Sequence, residues 1–215
     1  MKKIIDATGF KEPLLRTLNE INRTDSVRLW SIQTLEVWRE FERRSGLDGI
    51  FKADGRRIYP DFRFSYRWLM GQMRNRIFNY KGGYPIWAWV YPKPDLRGGA
   101  HLSKGAKGVR IEFLLPLPHV LLLDFGAWHF VLNGEHLGLS EQEDEDFERL
   151  LPQGKRKYQE VPPAYKEKIE QSWEKVFDLV ALNRSDWAGP VRYIQAVTEY
   201  IPRHNVVGVT RFIQR

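Results

Sequence analysis

Phosphate is the first ligand class that the residues suggest, because Gly99-Ala100-His101-Leu102-Ser103-Lys104-Gly105 sets glycines and a lysine in a loop that can approach an anion. The spacing does not make a P-loop. No Gly-Lys-Ser/Thr closes a four-residue gap, so the expectation narrows to direct phosphate contact by Lys104 and Lys107. Asp124-Phe125-Gly126 has the letters of a kinase metal-binding segment, yet neither a glycine-rich phosphate loop nor a His-Arg-Asp loop precedes it. The five histidines include Trp128-His129 and Glu135-His136, but no two stand four apart as a zinc-protease helix requires, and no metal site is expected. Gly-x-Ser-x-Gly is absent too, which removes the commonest serine-hydrolase pattern.

Aromatic and basic side chains carry the remaining chemistry. Trp87 and Trp89 stand two apart in Ile86 to Tyr91, so on a strand they share a face and form a paired indole surface that is either buried or meets a flat ligand. Tryptophan in such a place more often fills a core than stacks a base. Arg63, Arg67, Arg74 and Arg76 lie within one helical stretch; such a row is commonly a solvated face, and beside aromatic residues it can steer a nucleic-acid strand.

Several elements must position these groups. Leu14, Leu15, Leu18 and Ile21 have helical spacing, and Val27 to Gln33 alternates, placing Val27, Leu29, Ser31 and Gln33 on one face of a first strand. Thr34 caps a helix carrying Leu35, Trp38 and Phe41 that Gly46 ends. Asp61 is the expected cap of the basic helix, which turns Tyr66, Leu69, Met70, Met73 and Ile77 inward before Lys81-Gly82-Gly83 breaks it. Ile86 to Tyr91 is a second strand, and Arg97 to Gly108 a mobile connection. Val109 to Leu115 and Val120 to Leu123 read as strands, or as one strand broken at Pro116 and Pro118. Ser140 with Glu143 forms a capping box, and Lys155-Arg156-Lys157 an exposed loop. Pro162-Pro163 opens a helix running to Val180, and Val191 to Tyr200 and Val206 to Phe212 are the last strands. The sum is an α+β chain with mixed or antiparallel sheets of about six strands and about four or five helices. Residues 1–26 form a helical extension to a single domain over 27–215.

With 215 residues, 42% of them hydrophobic, the chain can bury one large core. It has no cysteine, and neither a signal-peptide core nor an apolar run of about 20 residues, which together point to the cytoplasm and away from a membrane. A net charge of +7 favours polyanionic partners.

Leu29-Trp30-Ser31-Ile32-Gln33-Thr34 with Glu36-Val37-Trp38, Tyr66-Arg67-Trp68-Leu69, Tyr84-Pro85-Ile86-Trp87-Ala88-Trp89 and Lys93-Pro94-Asp95-Leu96-Arg97 together resemble the bacterial domain of unknown function 3841 family. The likeness continues through Lys107-Gly108-Val109, Trp128-His129 and Ser172 to Asp178, and the family name implies no activity. A second resemblance, in element order only, is to ADP-ribosyltransferases. It implies an NAD cofactor, with Ser31 and Gln33 as ribose contacts, Tyr66 or Trp87 as a stacking wall, Gln195 as an orienting residue and Glu199 as the carboxylate that stabilises an oxocarbenium-like centre. Ser31 stands where many such enzymes have histidine or arginine, and Val197 stands where their acidic pattern ends. Two readings follow. One is an ADP-ribosyltransferase-like domain that binds NAD or a related nucleotide and modifies a nucleic acid or protein. The other is a nonenzymatic basic module in which Arg63, Arg67, Arg74, Arg76, Lys104, Lys107 and Lys155 to Lys157 bind nucleic acid or an acidic protein.

Overall fold

Period-two alternation drives the architecture of the computed structural model, which describes residues 5–44, 49–53, 55, 58–98, 101–152 and 154–215. Strand β1 (Ser26–Thr34) turns Val27, Leu29 and Ser31 inward, and it pairs antiparallel with β4 (Lys107–Pro116) from Ser26 opposite Pro116 to Thr34 opposite Gly108. On β4 the matching residues Val109, Ile111, Phe113 and Leu115 are buried as well. Strands β3 (Ile86–Tyr91), β5 (Leu121–Asp124), β6 (Ile194–Thr198) and β8 (Val206–Ile213) complete a six-stranded antiparallel sheet in the order β5-β6-β3-β1-β4-β8. A separate ribbon joins β2 (Ile50–Lys52) to β7 (Tyr200–Pro202).

Among the described residues there are seven α-helices, more than the expected four or five. Helix α1 (Leu14–Thr24) buries Leu14, Leu18 and Ile21 on one stripe, as their spacing predicts. Thr34 caps α2 (Leu35–Arg44) by accepting from the Val37 amide; Gly46, its expected stop, lies outside the described residues. Helix α3 (Arg63–Arg76) starts one residue later than Asp61 as its cap predicts, because Pro60 to Phe62 forms a short 3-10 turn and Phe62 takes the cap position with no side-chain bond. Helix α4 (Phe125–Asn133) went unread in the sequence, since it is apolar almost all round and shows no stripe. Asp124 caps it through the Ala127 amide and Gly134 ends it at φ 71°, so the kinase-like letters serve a helix start. Ser140 caps α5 (Glu141–Leu150) as expected. The helix opened by Pro163 ends at Trp173 as α6 (Pro163–Trp173); a 3-10 turn follows, and Asp178 caps a separate α7 (Leu179–Arg184).

Pro116, which ends β4, and Pro118 do more than break a strand. Leu117 between them is fully buried, and the turn over Leu117–His119 sends the chain from β4, beside β1, to β5 at the far edge of the sheet. At the opposite end Gln214, itself buried, accepts from the His101 and Leu102 amides and donates to the Gly98 carbonyl, tying the Lys-rich connection to the end of β8. The core is aromatic on the helical side: Trp173 is fully buried against Phe64, Trp68 and Tyr158, and truncating such a side chain to alanine costs about 3–5 kcal/mol.

Candidate nucleic-acid interface

Arg63, Arg67 and Arg74 stand at positions i, i+4 and i+11 of α3, so at 3.6 residues per turn they fall on one stripe about 16 Å long. The opposite stripe, Ser65, Leu69 and Met73, is buried, and the Ser65 hydroxyl donates to the Val131 carbonyl at 2.9 Å, which fixes the rotation of the helix. Packing thus forces the three guanidinium groups outward. All three are exposed, and none has an ion pair or hydrogen bond with the described residues. Arg76 departs from the stripe: its guanidinium bonds Gln72 and Glu174 and lies 4.9 Å over the Phe177 ring.

Neighbouring groups extend the stripe in both directions. Phe64, next to Arg63, stacks on Tyr158 at 5.1 Å, and Lys166 lies 4.9 Å over the same tyrosine ring. Tyr158 closes the loop bearing Lys155, Arg156 and Lys157, so that loop adjoins the first turns of α3. Burial, the Glu170 carboxylate at 2.6 Å and its charge push the Tyr158 hydroxyl up to about 12, while Arg67 opposes the shift. Arg156 pairs with Glu148; the Lys155 and Lys157 side chains are exposed and form no ion pair with the described residues. Two solvent-facing aromatic side chains bracket the helix, Tyr59 at 73% exposure and Phe78 at 60%. Phe78 meets His119 edge-on at 5.7 Å, and His119 lines a cleft of about 860 Å³ with Tyr200, His204 and Asn205. Cations, aromatic rings and a cleft therefore follow one another along the molecule, an arrangement able to track a phosphate chain and receive bases.

The residues implied by the transferase resemblance sit differently. The Ser31 hydroxyl donates to the Trp87 carbonyl and accepts from the Gln33 amide, each at 2.9 Å. Ser31 shares the sheet face of Val27 and Leu29, whereas Trp30, opposite Trp89, points to the other face with Trp87. On that second face Trp87 packs 5.0 Å from Trp128 and 6.3 Å from Tyr66, and burial raises the Tyr66 hydroxyl above its ordinary value. Gln195 is buried opposite Trp89 and Leu123 on the same face. Strand β6 ends at Thr198, so Glu199 does not continue its alternation. Its carboxylate is buried, one oxygen accepting from the Lys81 amide at 2.8 Å and the other from the Gly83 amide at 2.7 Å. Tyr80 completes this latch by donating to the Gly83 carbonyl at 2.7 Å. The structure thus unites Tyr66 and Trp87, and separately Ser31 and Gln33, with the sheet between the two pairs. Lys104 and Lys107 are exposed beside β8, at the other end of the sheet from β5.

The model of the domain of unknown function DUF3841 matches residues 28–207. The chain belongs to that family. The match spans β1 through the start of β8, and therefore α3, the Glu199 latch and the cleft at His119. No curated protein and no solved structure matches the chain, so the resemblance to ADP-ribosyltransferases stands on element order alone. No described helix is long and apolar enough to cross a membrane. Sequence reasoning missed His119, Tyr59 and Phe78. A surface aromatic at each end of a basic helix was a legible signal for the latter two, whereas His119 becomes relevant only through folding.

Proposed function

We propose that this DUF3841 domain binds single-stranded nucleic acid across the exposed face of α3. Phosphates meet Arg63, Arg67 and Arg74, the Lys155–Lys157 loop extends the contact, and bases stack on Tyr59 and Phe78 or enter the cleft at His119. The observation that carries the reading is the stripe of three arginines with no carboxylate partner among the described residues, on a helix whose other face is locked into the core. Arginine presents a planar fork of donors that suits phosphate oxygens, and leaving three of them unpaired side by side keeps mutual repulsion that an anion relieves. Single strands suit the arrangement because exposed rings can stack unpaired bases.

This reading is preferred to NAD-dependent transfer because both oxygens of Glu199 are held by backbone amides and Ser31 is engaged within the sheet. Fluorescence anisotropy with a labelled single-stranded RNA, repeated with DNA and with duplex, tests the proposal. Affinity should fall as salt rises with a logarithmic slope near −2, about −0.7 for each of three phosphates. Absence of binding at low salt ends the proposal, and nicotinamide release from NAD would replace it with the transfer reading.

A further inference from the structure

Strand β8 has one partner among the described residues, β4, and its other edge carries no strand. Such an edge presents a row of backbone donors and acceptors to any extended chain. Native proteins usually blunt edges with proline, bulges or inward charges, and along Val206–Ile213 there is no proline. The register with β4 shifts only near its first residue, leaving Gly208 to Ile213 regular. Val207, Val209, Arg211 and Ile213 share one face, and the three apolar members are 51%, 39% and 62% exposed. The strand is also held straight at its end, where Gln214 exchanges backbone bonds with Gly105 and Ala106.

Charge selects the occupant. Residues 203–215 contain Arg203, His204, Arg211 and Arg215 and no Asp or Glu, and Lys104 and Lys107 lie alongside. The nearest acidic residue on β4, Glu112 opposite Gly208, is engaged by Arg28 and Lys93. A second copy would set two such cationic segments side by side, whereas an acidic chain is attracted. We propose that the free edge of β8 is a docking site for an acidic extended peptide of a partner protein, which adds a seventh strand to the sheet. Its β-branched side chains alternate on the ledge of Val207, Val209 and Ile213, and one of its carboxylates faces Arg211. Lys104 and Lys107, which the α3 face leaves unused, form the rim of this second site.

The test uses the whole chain and a synthetic peptide of about eight residues, matched to β8, that alternates Val with Thr and Glu and places one Glu among the Val positions. Calorimetry should detect binding, and hydrogen exchange should slow at the amides of 206–213. Two further peptides, N-methylated on one or the other alternate set of amides, separate strand addition from simple charge attraction. One should bind like the parent and the other should not bind, because only one set faces β8. Arg211→Glu should weaken the acidic peptide roughly fivefold and strengthen a version with Lys for Glu. Equal affinity of the two methylated peptides overturns the proposal, as does protection located on α3. A concentration-dependent dimer with 206–213 protected in the absence of peptide overturns it in favour of a second copy. Because the RNA assay reads Arg63, Arg67 and Arg74, either site can fail alone.

Discussion

Helix α3, whose charged residues are all arginines, and the mostly acidic α5 handle charge in opposite ways. On α5 every ionic side chain except Glu141 has a partner: Glu143 meets Lys175, Asp144 meets His136 and Trp187, Arg149 spans Glu145 and Asp146, and Glu148 meets Arg156. On α3 three of four arginines meet none. The charges of α5 are therefore cross-links within the fold. On α3 only Arg76 is such a cross-link, and Arg63, Arg67 and Arg74 are available to a ligand. A row of charges in a sequence thus corresponds to different uses, and the partners of each charge tell them apart.

The largest expected effect comes from breaking α3. Replacing Arg63, Arg67 and Arg74 together with Glu should reduce RNA affinity by about 100-fold or more at low salt and remove most of the salt slope, since three attractions become repulsions. Thermal unfolding should barely move, because none of the three touches a described partner. The converse holds on α5. Asp144→Ala removes the acceptor of both the His136 imidazole and the Trp187 indole and should cost about 2 kcal/mol in urea unfolding, with RNA binding unchanged.

A pH series sharpens the same contrast. Burial disfavours the His136 imidazolium more than Asp144 favours it, so the folded chain holds this group below its ordinary 6.5. Its contribution is complete above about pH 6.5 and is lost as pH falls through the lower folded value, so the melting temperature should decline on acidification and decline less in His136→Gln. Glu143, held below 4.5 by the Leu139 amide and Lys175, adds a second loss only under more acidic conditions, once pH drops beneath 4.5. Over the upper window the phosphate contacts of Arg63, Arg67 and Arg74 keep their charge, since arginine does not titrate there. The smallest effect belongs to Arg149→Ala, a pair of exposed helix contacts worth less than about 1 kcal/mol.

Much of this could be read from the sequence, because the alternation of Val27 to Gln33 and the spacing of Leu69 and Met73 are local signals of burial. Ser140, Thr34 and Pro163 likewise declared their helix starts. Helix α4 was hidden because a helix that is apolar on nearly every side has no stripe to detect. A strand running from Val191 through Tyr200 would put Gln195, Val197 and Glu199 on one face; it ends at Thr198, and the next residue turns to the Lys81–Gly83 backbone. Of the basic site, the four arginines were visible as one helical row, but the pairing of Arg76 with Glu174 depends on α3 meeting a distant turn. The placement of Lys104 and Lys107 beside β8 needed the strand order, which no local pattern encodes.

The Glu199 latch also bears on how this family can diverge. A Cβ at position 83 would lie 2.8 Å from the Glu199 Cγ, so any side chain there displaces the carboxylate that accepts from the same residue's amide. This contact couples positions 83 and 199, and across an alignment of relatives the two columns should change together or remain fixed together, though 116 positions separate them in the chain.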